Sequence, residues 1–216
     1  MQFDFDLVLK YLPLLLQGAM TTLIICGLAS VLAMGLGLLA ALGLLSRWAV
    51  LRAACRIYVE VVRGTPILIL LFLMYYGGPS IGLTFSAEVV GVGGLGIYAG
   101  GYFAEIFRSG FQSIPHGQIE AARMLGIGRA MVILRIRIPQ MLMLIVPPLT
   151  NQLVLLVKES AVLSIITVAE LTKNTTQMVN ETFATMEPYL TAAAIYWILI
   201  EGIAAAGAWV EKKVKH

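Results

Sequence analysis

Five apolar stretches, at about 18–45, 57–78, 87–107, 139–157 and 188–210, constrain this chain more than any other feature. A helix rises ~1.5 Å per residue, so stretches of this length cross, or nearly cross, a hydrocarbon core about 30 Å thick. The expected fold is an all-α membrane protein with five transmembrane helices. Composition agrees. Of the 216 residues 59% are hydrophobic and 12% are charged, with a mean hydropathy of +0.89. Soluble domains carry about 25% charged residues. No stretch is polar enough to fold apart from the membrane, so the chain reads as a single transmembrane domain.

The punctuation within and between spans is informative. Residues 1–17 read as an amphipathic lead-in, with Phe3, Phe5, Leu7 and Tyr11 at the interface and Asp4, Asp6 and Lys10 in water. Their acidic start is unlike a cleaved leader, so the first span is expected to be retained. Gly27, Gly35, Gly37 and Gly43 make span 1 a packing helix. Pro66 either starts or kinks span 2. Gly91, Gly93 and Gly96 spell GxGxxG in span 3. No strand precedes them and no acidic residue follows at the required distance, so helix packing through Gly96 and Gly100 is the better account. Pro147 and Pro148 predict a bend or unwinding in span 4. Residues 161–166 could dip back into the membrane. Thr167 and Glu170 fit a capping box that would open a short helix towards Asn180. Cys26 and Cys55 lack the spacing of a metal site or disulfide.

Charge orients the spans. Of fifteen Lys and Arg, all but Lys10, Lys158 and Lys173 fall in segments 46–63, 108–138 and 211–216. Five spans place those segments on one face of the membrane. The positive-inside rule makes that face cytoplasmic, with the N-terminus outside and the C-terminus inside.

The basic segment 108–138 is too polar to cross. Ile119, Ala122 and Gly126 share one helical face, and Ile127, Ala130, Met131, Leu134 and Ile138 repeat the pattern after a Gly126–Gly128 break. Glu120 stands three before Arg123, a weakly stabilising pair. Ala121 and Ala122 are small enough for a groove on another protein to close over them, and Glu120 offers a carboxylate to a basic rim. Gly126 permits a sharp turn. Pro139 suits the start of span 4. Periodicity alone leaves a second reading open, an interfacial helix pair lying on the inner leaflet.

Glu120-Ala121-Ala122, Gly126 four residues on, and Ile136-Arg137-Ile138-Pro139 after nine more resemble the EAA loop of bacterial ABC-importer permease subunits. The one departure is Ile138 where Leu is usual. Arg63-Gly64-Thr65-Pro66 resembles the RGTP stretch of the polar amino acid branch, although Leu70 stands where that branch often carries Gln. Segments 101–108, 112–118 and 158–163 are similar to that branch too. The resemblance implies a five-span permease of a type I importer for a polar amino acid. It would pair with an identical or related permease. A cytoplasmic ATPase dimer holding ATP and magnesium would grip its EAA loops, and an external solute-binding protein would supply the substrate. Coupling would fall to Glu120, Ala121, Ala122, Gly126, Ile136 and Pro139.

Other chemistry is thin. No GxxxxGK[ST] run is present, so ATP binding by this chain is not expected, and no GxSxG elbow suggests a hydrolase. His116 and His216 lack partners at metal spacing. Thr65, Asn151, Gln152, Lys158 and Glu159 are the candidate substrate-pathway residues, with interhelical hydrogen bonds or surface charge as the competing roles. Glu105 and Arg108 read as an interfacial ion pair, and Glu201 as facing a protein neighbour. A stand-alone channel or secondary carrier for a small polar solute, or a scaffold, would fit the same spans.

Overall fold

The computed structural model describes residues 3–215; His216 and the side chains of His116 and Lys215 lie outside the described residues. Helix α1 (Phe5–Leu44) is continuous, so the lead-in and span 1 are one element. Asp4 caps it by accepting from the Leu7 amide at 3.0 Å. Its buried stripe is small: Ala29, Ala33, Gly37, Ala40 and Ala41. Against it lies α4 (Ala87–Gln112), which turns Gly96, Gly100, Phe103 and Ala104 towards α1. A Cβ on Gly96 would sit 2.6 Å from Leu32, and one on Gly37 would sit 2.6 Å from the Phe103 Cβ. Of the glycines in the apparent nucleotide fingerprint, Gly96 is spent on close helix contact, as small residues are in lipid, whereas a Cβ on Gly91 or Gly93 would make only ordinary contacts.

Span 2 differs from the expectation. It is a broken pair, α2 (Ala49–Gly64) and then α3 (Ile67–Phe72), which continues through a π turn and a 3-10 turn to Ile81. The halves meet at 106°. The cause is local. Pro66 lacks an N–H and forces Thr65 into extended backbone, so one helix must end and another begin. Only with this pair counted as one span are there five; the other four are helices long and apolar enough to cross alone.

The cytoplasmic-loop expectation also needs correction. α5 (His116–Met124) is a separate short helix, but α6 (Arg129–Val132) is not. It runs through a π turn (Ile133–Arg137) into α7 (Ile138–Glu159). Pro139 therefore stands inside a continuous rod rather than at a free helix start. The wider π turn just before it gives room for a ring that would otherwise strike the carbonyl one turn back. Pro147 and Pro148 leave α7 helical, with no unwinding.

Beyond α7 a 3-10 turn (Ser160–Ile166) leads to α8 (Leu171–Thr182). Its cap is Glu170, not Thr167, which adopts φ +70°. Glu170 accepts from the Lys173 amide at 2.7 Å, the Thr172 amide at 2.8 Å and the Tyr196 hydroxyl at 2.9 Å. The Asn174 amide donates to the Leu14 carbonyl, and the Thr22 hydroxyl accepts from the Leu171 amide, pinning α8 to α1. Helix α9 (Met186–Lys215) closes the chain, with Gly207 against Thr150 of α7. Near its end Lys213 lies 3.9 Å over the Trp209 ring. Glu201 is exposed on α9.

Candidate functional site

Two sites lie apart along α4 and α7, one beyond the C-terminus of α4 and one between the middle of α4 and the C-terminus of α7. The first is the α5 knuckle. Its C-terminus is a Schellman cap: the Ile127 amide donates to Ala122 and the Gly126 amide to Arg123, at 3.0 and 2.9 Å. Gly126 has φ +75°, and a Cβ there would meet nothing within 4 Å. Backbone conformation, not space, demands the glycine.

The knuckle's faces divide differently from the expectation. Ala122 is only 4% exposed and turns inward, so it is not available to a groove on another protein. Ile119 turns inward too, against Ile114, Met141 and Ile145. Gln140 donates to Gln118 at 2.7 Å, and the Arg137 guanidinium donates to the Phe111 carbonyl at 3.2 Å. α5 is thereby tied to α7, and the π turn ahead of α7 to α4. Outward stand Glu120, Ala121, Met124 and Leu125, with Met124 90% and Leu125 80% exposed. These two apolar residues were missed by reading the motif alone, although their i, i+4 and i, i+5 relation to Glu120 was legible. Ile136 is half-buried in the π turn, and Pro139 is exposed. No ion pair joins Glu120 and Arg123, whereas Arg108 and Glu105 pair at 2.6 Å.

The second site centres on Glu159. One carboxylate oxygen accepts from the Tyr98 hydroxyl at 3.3 Å; the other is buried and has no partner. Tyr98 and Tyr102 stand 3.3 Å apart, hydroxyl to hydroxyl. Gln152 lies seven residues before Glu159, on the same inward stripe of α7, and is buried. Asn151 and Lys158 are exposed on the other stripe, away from it. Thr65 caps α2, its hydroxyl bonded to the Val61 carbonyl at 2.7 Å. The structure thus joins Glu159 with two tyrosines that were not anticipated. Their i, i+4 spacing in an apolar span was the available signal. Chemically, an acceptor with one unused oxygen, walled by phenols, suits a small cationic or zwitterionic group. No group of three or more His, Cys, Asp or Glu able to hold a metal occurs among the described residues.

Residues 33–216 match the family described as binding-protein-dependent transport system inner membrane component. The chain belongs to this family. It is therefore a multi-pass inner-membrane permease, and catalysis is not its task. A probable amino-acid ABC transporter permease protein of Bacillus subtilis, YckA, is 34% identical over 99% of this chain and 95% of that one. A putative glutamine transport system permease protein, GlnP, of Rickettsia bellii is 32% identical over 97% and 98%. Among solved structures, an amino acid ABC transporter crystallised with histidines is 36% identical with a TM-score of 0.91, over 99% of the permease and all of that chain. The inward-facing MetNI methionine transporter, 21% identical with a TM-score of 0.77, shares the fold.

Proposed function

We propose that this permease, acting as one transmembrane domain, imports a polar amino acid as part of an ABC transporter. Its N-terminus lies outside and its C-terminus in the cytoplasm. Two permease chains form the pore, a cytoplasmic ATPase dimer supplies ATP and magnesium, and an external solute-binding protein delivers the substrate. The observation that carries the reading is the likeness in sequence and fold, over nearly the whole chain, to an amino acid transporter.

Glu120, Ala121, Met124 and Leu125 dock into the ATPase, while Gly126 shapes the turn and Ile136 and Pro139 transmit from the rod behind it. ATP binding draws the ATPase subunits together and moves α5. Because α5 is bonded to and packed against α7, and α7 lies against Gly110 of α4, the motion enters the two helices that hold Glu159 and Tyr98. Hydrolysis reverses it. Glu159 and Gln152 line the path and receive the ammonium of the amino acid; Thr65 marks its bend in span 2. Asn151 and Lys158 face away from Glu159, towards the paired permease or the outer rim.

Glu120→Arg and Met124→Ser test the docking. Import and substrate-stimulated ATP hydrolysis by the reconstituted transporter are expected to fall about tenfold or more, the scale of an interface hot spot. If both survive at normal abundance, the docking role is wrong. Transport by the purified chain without ATP or partners would instead favour a stand-alone carrier.

A further inference from the structure

The polar face of α4 continues below Glu159. Tyr98, Tyr102, Glu105, Arg108 and Gln112 recur at helical spacing, one above the next. The lower part of this face opens on a cleft of about 500 Å³. On its α2 side stand Arg52, Arg56, Glu60 and Arg63, and on its α4 side Glu105 and Arg108. Four guanidinium groups face two carboxylates. Glu105 is already engaged, accepting from Arg108 at 2.6 and 3.0 Å. What is left is an excess of positive charge around Arg56 and Arg63. The Arg63 guanidinium lies 5.4 Å from the Tyr102 ring centroid, so the cleft joins the Tyr98–Glu159 site through one aromatic ring. Stacking holds the face of a guanidinium and leaves its edge donors available.

The cleft belongs to the path rather than to lipid. A stripe bearing Glu105, Arg108 and two phenols would be costly against hydrocarbon. The opposite flank of α2 is apolar, with Leu51, Ala54, Cys55 and Tyr58 forming a groove against α1. That flank suits acyl chains.

We propose that this cleft is a second stop for the transported amino acid, on the cytoplasmic side of Glu159, where Arg56 and Arg63 take its carboxylate. The proposal rests on the import function given above. An ammonium-binding carboxylate followed by carboxylate-binding guanidinium groups lets a zwitterion exchange one partner for the next as it descends. Neither end is then stripped of water without compensation.

The test is uptake of radiolabelled glutamine and histidine by the complete transporter, with its ATPase and binding protein, in proteoliposomes. Arg56→Gln and Arg63→Gln are each expected to lower the maximal rate about five- to tenfold at unchanged assembly and unchanged half-saturating concentration of loaded binding protein. Arg56→Lys should retain at least half the wild-type rate, which a purely structural role would not predict. Vesicles of phosphatidylcholine alone and vesicles containing phosphatidylglycerol should show the same defects. Wild-type rates in both Gln variants refute the stop while leaving the import function intact. Defects confined to phosphatidylglycerol vesicles refute it in favour of a lipid headgroup site. A wild-type complex that imports no amino acid overturns the import function and the stop with it.

Discussion

Gly37→Ala offers a sharp test of the α1–α4 contact, because Gly35 on the same helix supplies the control. A Cβ at position 37 would lie 2.6 Å from the Phe103 Cβ, 3.0 Å from the Ala104 nitrogen and 3.1 Å from the Gly100 carbonyl oxygen. Two of those three atoms are backbone, so no side chain can swing aside. Ordinary contact begins near 3.4 Å. The helices must therefore separate by several tenths of an ångström. A gap of about 0.5–1 Å forfeits a quarter to a half of each dispersion contact along the seam. Overpacking of this kind costs about 1–3 kcal/mol. Replacing glycine in a helix returns roughly 0.5–1 kcal/mol. The net for Gly37→Ala is a loss of about 0–2.5 kcal/mol, centred near 1 kcal/mol. A Cβ at Gly35 meets nothing within 4 Å, so Gly35→Ala should be neutral or stabilised by up to about 1 kcal/mol. Thermal unfolding of the purified transporter in detergent, followed by fluorescence-detected gel filtration, measures the difference. Equal melting of the two variants would refute the close-contact reasoning.

Two further outcomes follow from the sites. Glu159→Gln should lower import of glutamine about tenfold, by replacing a charged acceptor with a neutral one, and Tyr98→Phe should do so by less; equal rates in Glu159→Gln and wild type would remove Glu159 from the path. Burial holds the Glu170 carboxyl above its ordinary 4.5, against the hydrogen bonds from Thr172, Lys173 and Tyr196 that favour ionisation. A raised carboxyl favours the folded state while protonated, a contribution complete below pH 4.5 and lost as pH rises through the raised value. The melting advantage of wild type over Glu170→Gln should therefore shrink from pH 4.5 to pH 7, and an advantage that grows with pH would contradict this.

Several features were readable only in part, for identifiable reasons. The Gly126 turn was legible because a left-handed cap needs glycine whatever surrounds it. The Glu105–Arg108 pair was legible because i, i+3 side chains share a helix face, although the same spacing at Glu120 and Arg123 gives no ion pair. The inward turn of Ala122 was not, because small size suits both a partner's groove and a protein's own core, and only the packing of Ile119 on Met141 and Ile145 separates the two. The cap of α8 was misplaced for a similar reason. Thr167 and Glu170 both favour helix starts, and burial of Glu170 beside Tyr196 decided between them.

By itself the order of residues determined the apolar spans, up to five of them, the uneven Lys and Arg loading, and the polar knuckle, but not that the break falls in span 2 rather than span 4. All of these depend on hydropathy, chain length and local backbone preference, which act over a few turns. Only the tertiary structure decided that Glu159 on α7 meets Tyr98 on α4, 61 positions away. It alone set the arginines of α2 across a cleft from α4 and turned Met124 and Leu125 outward. Those pairings arise from how rods dock, and every span offers several faces of similar polarity until close packing selects one.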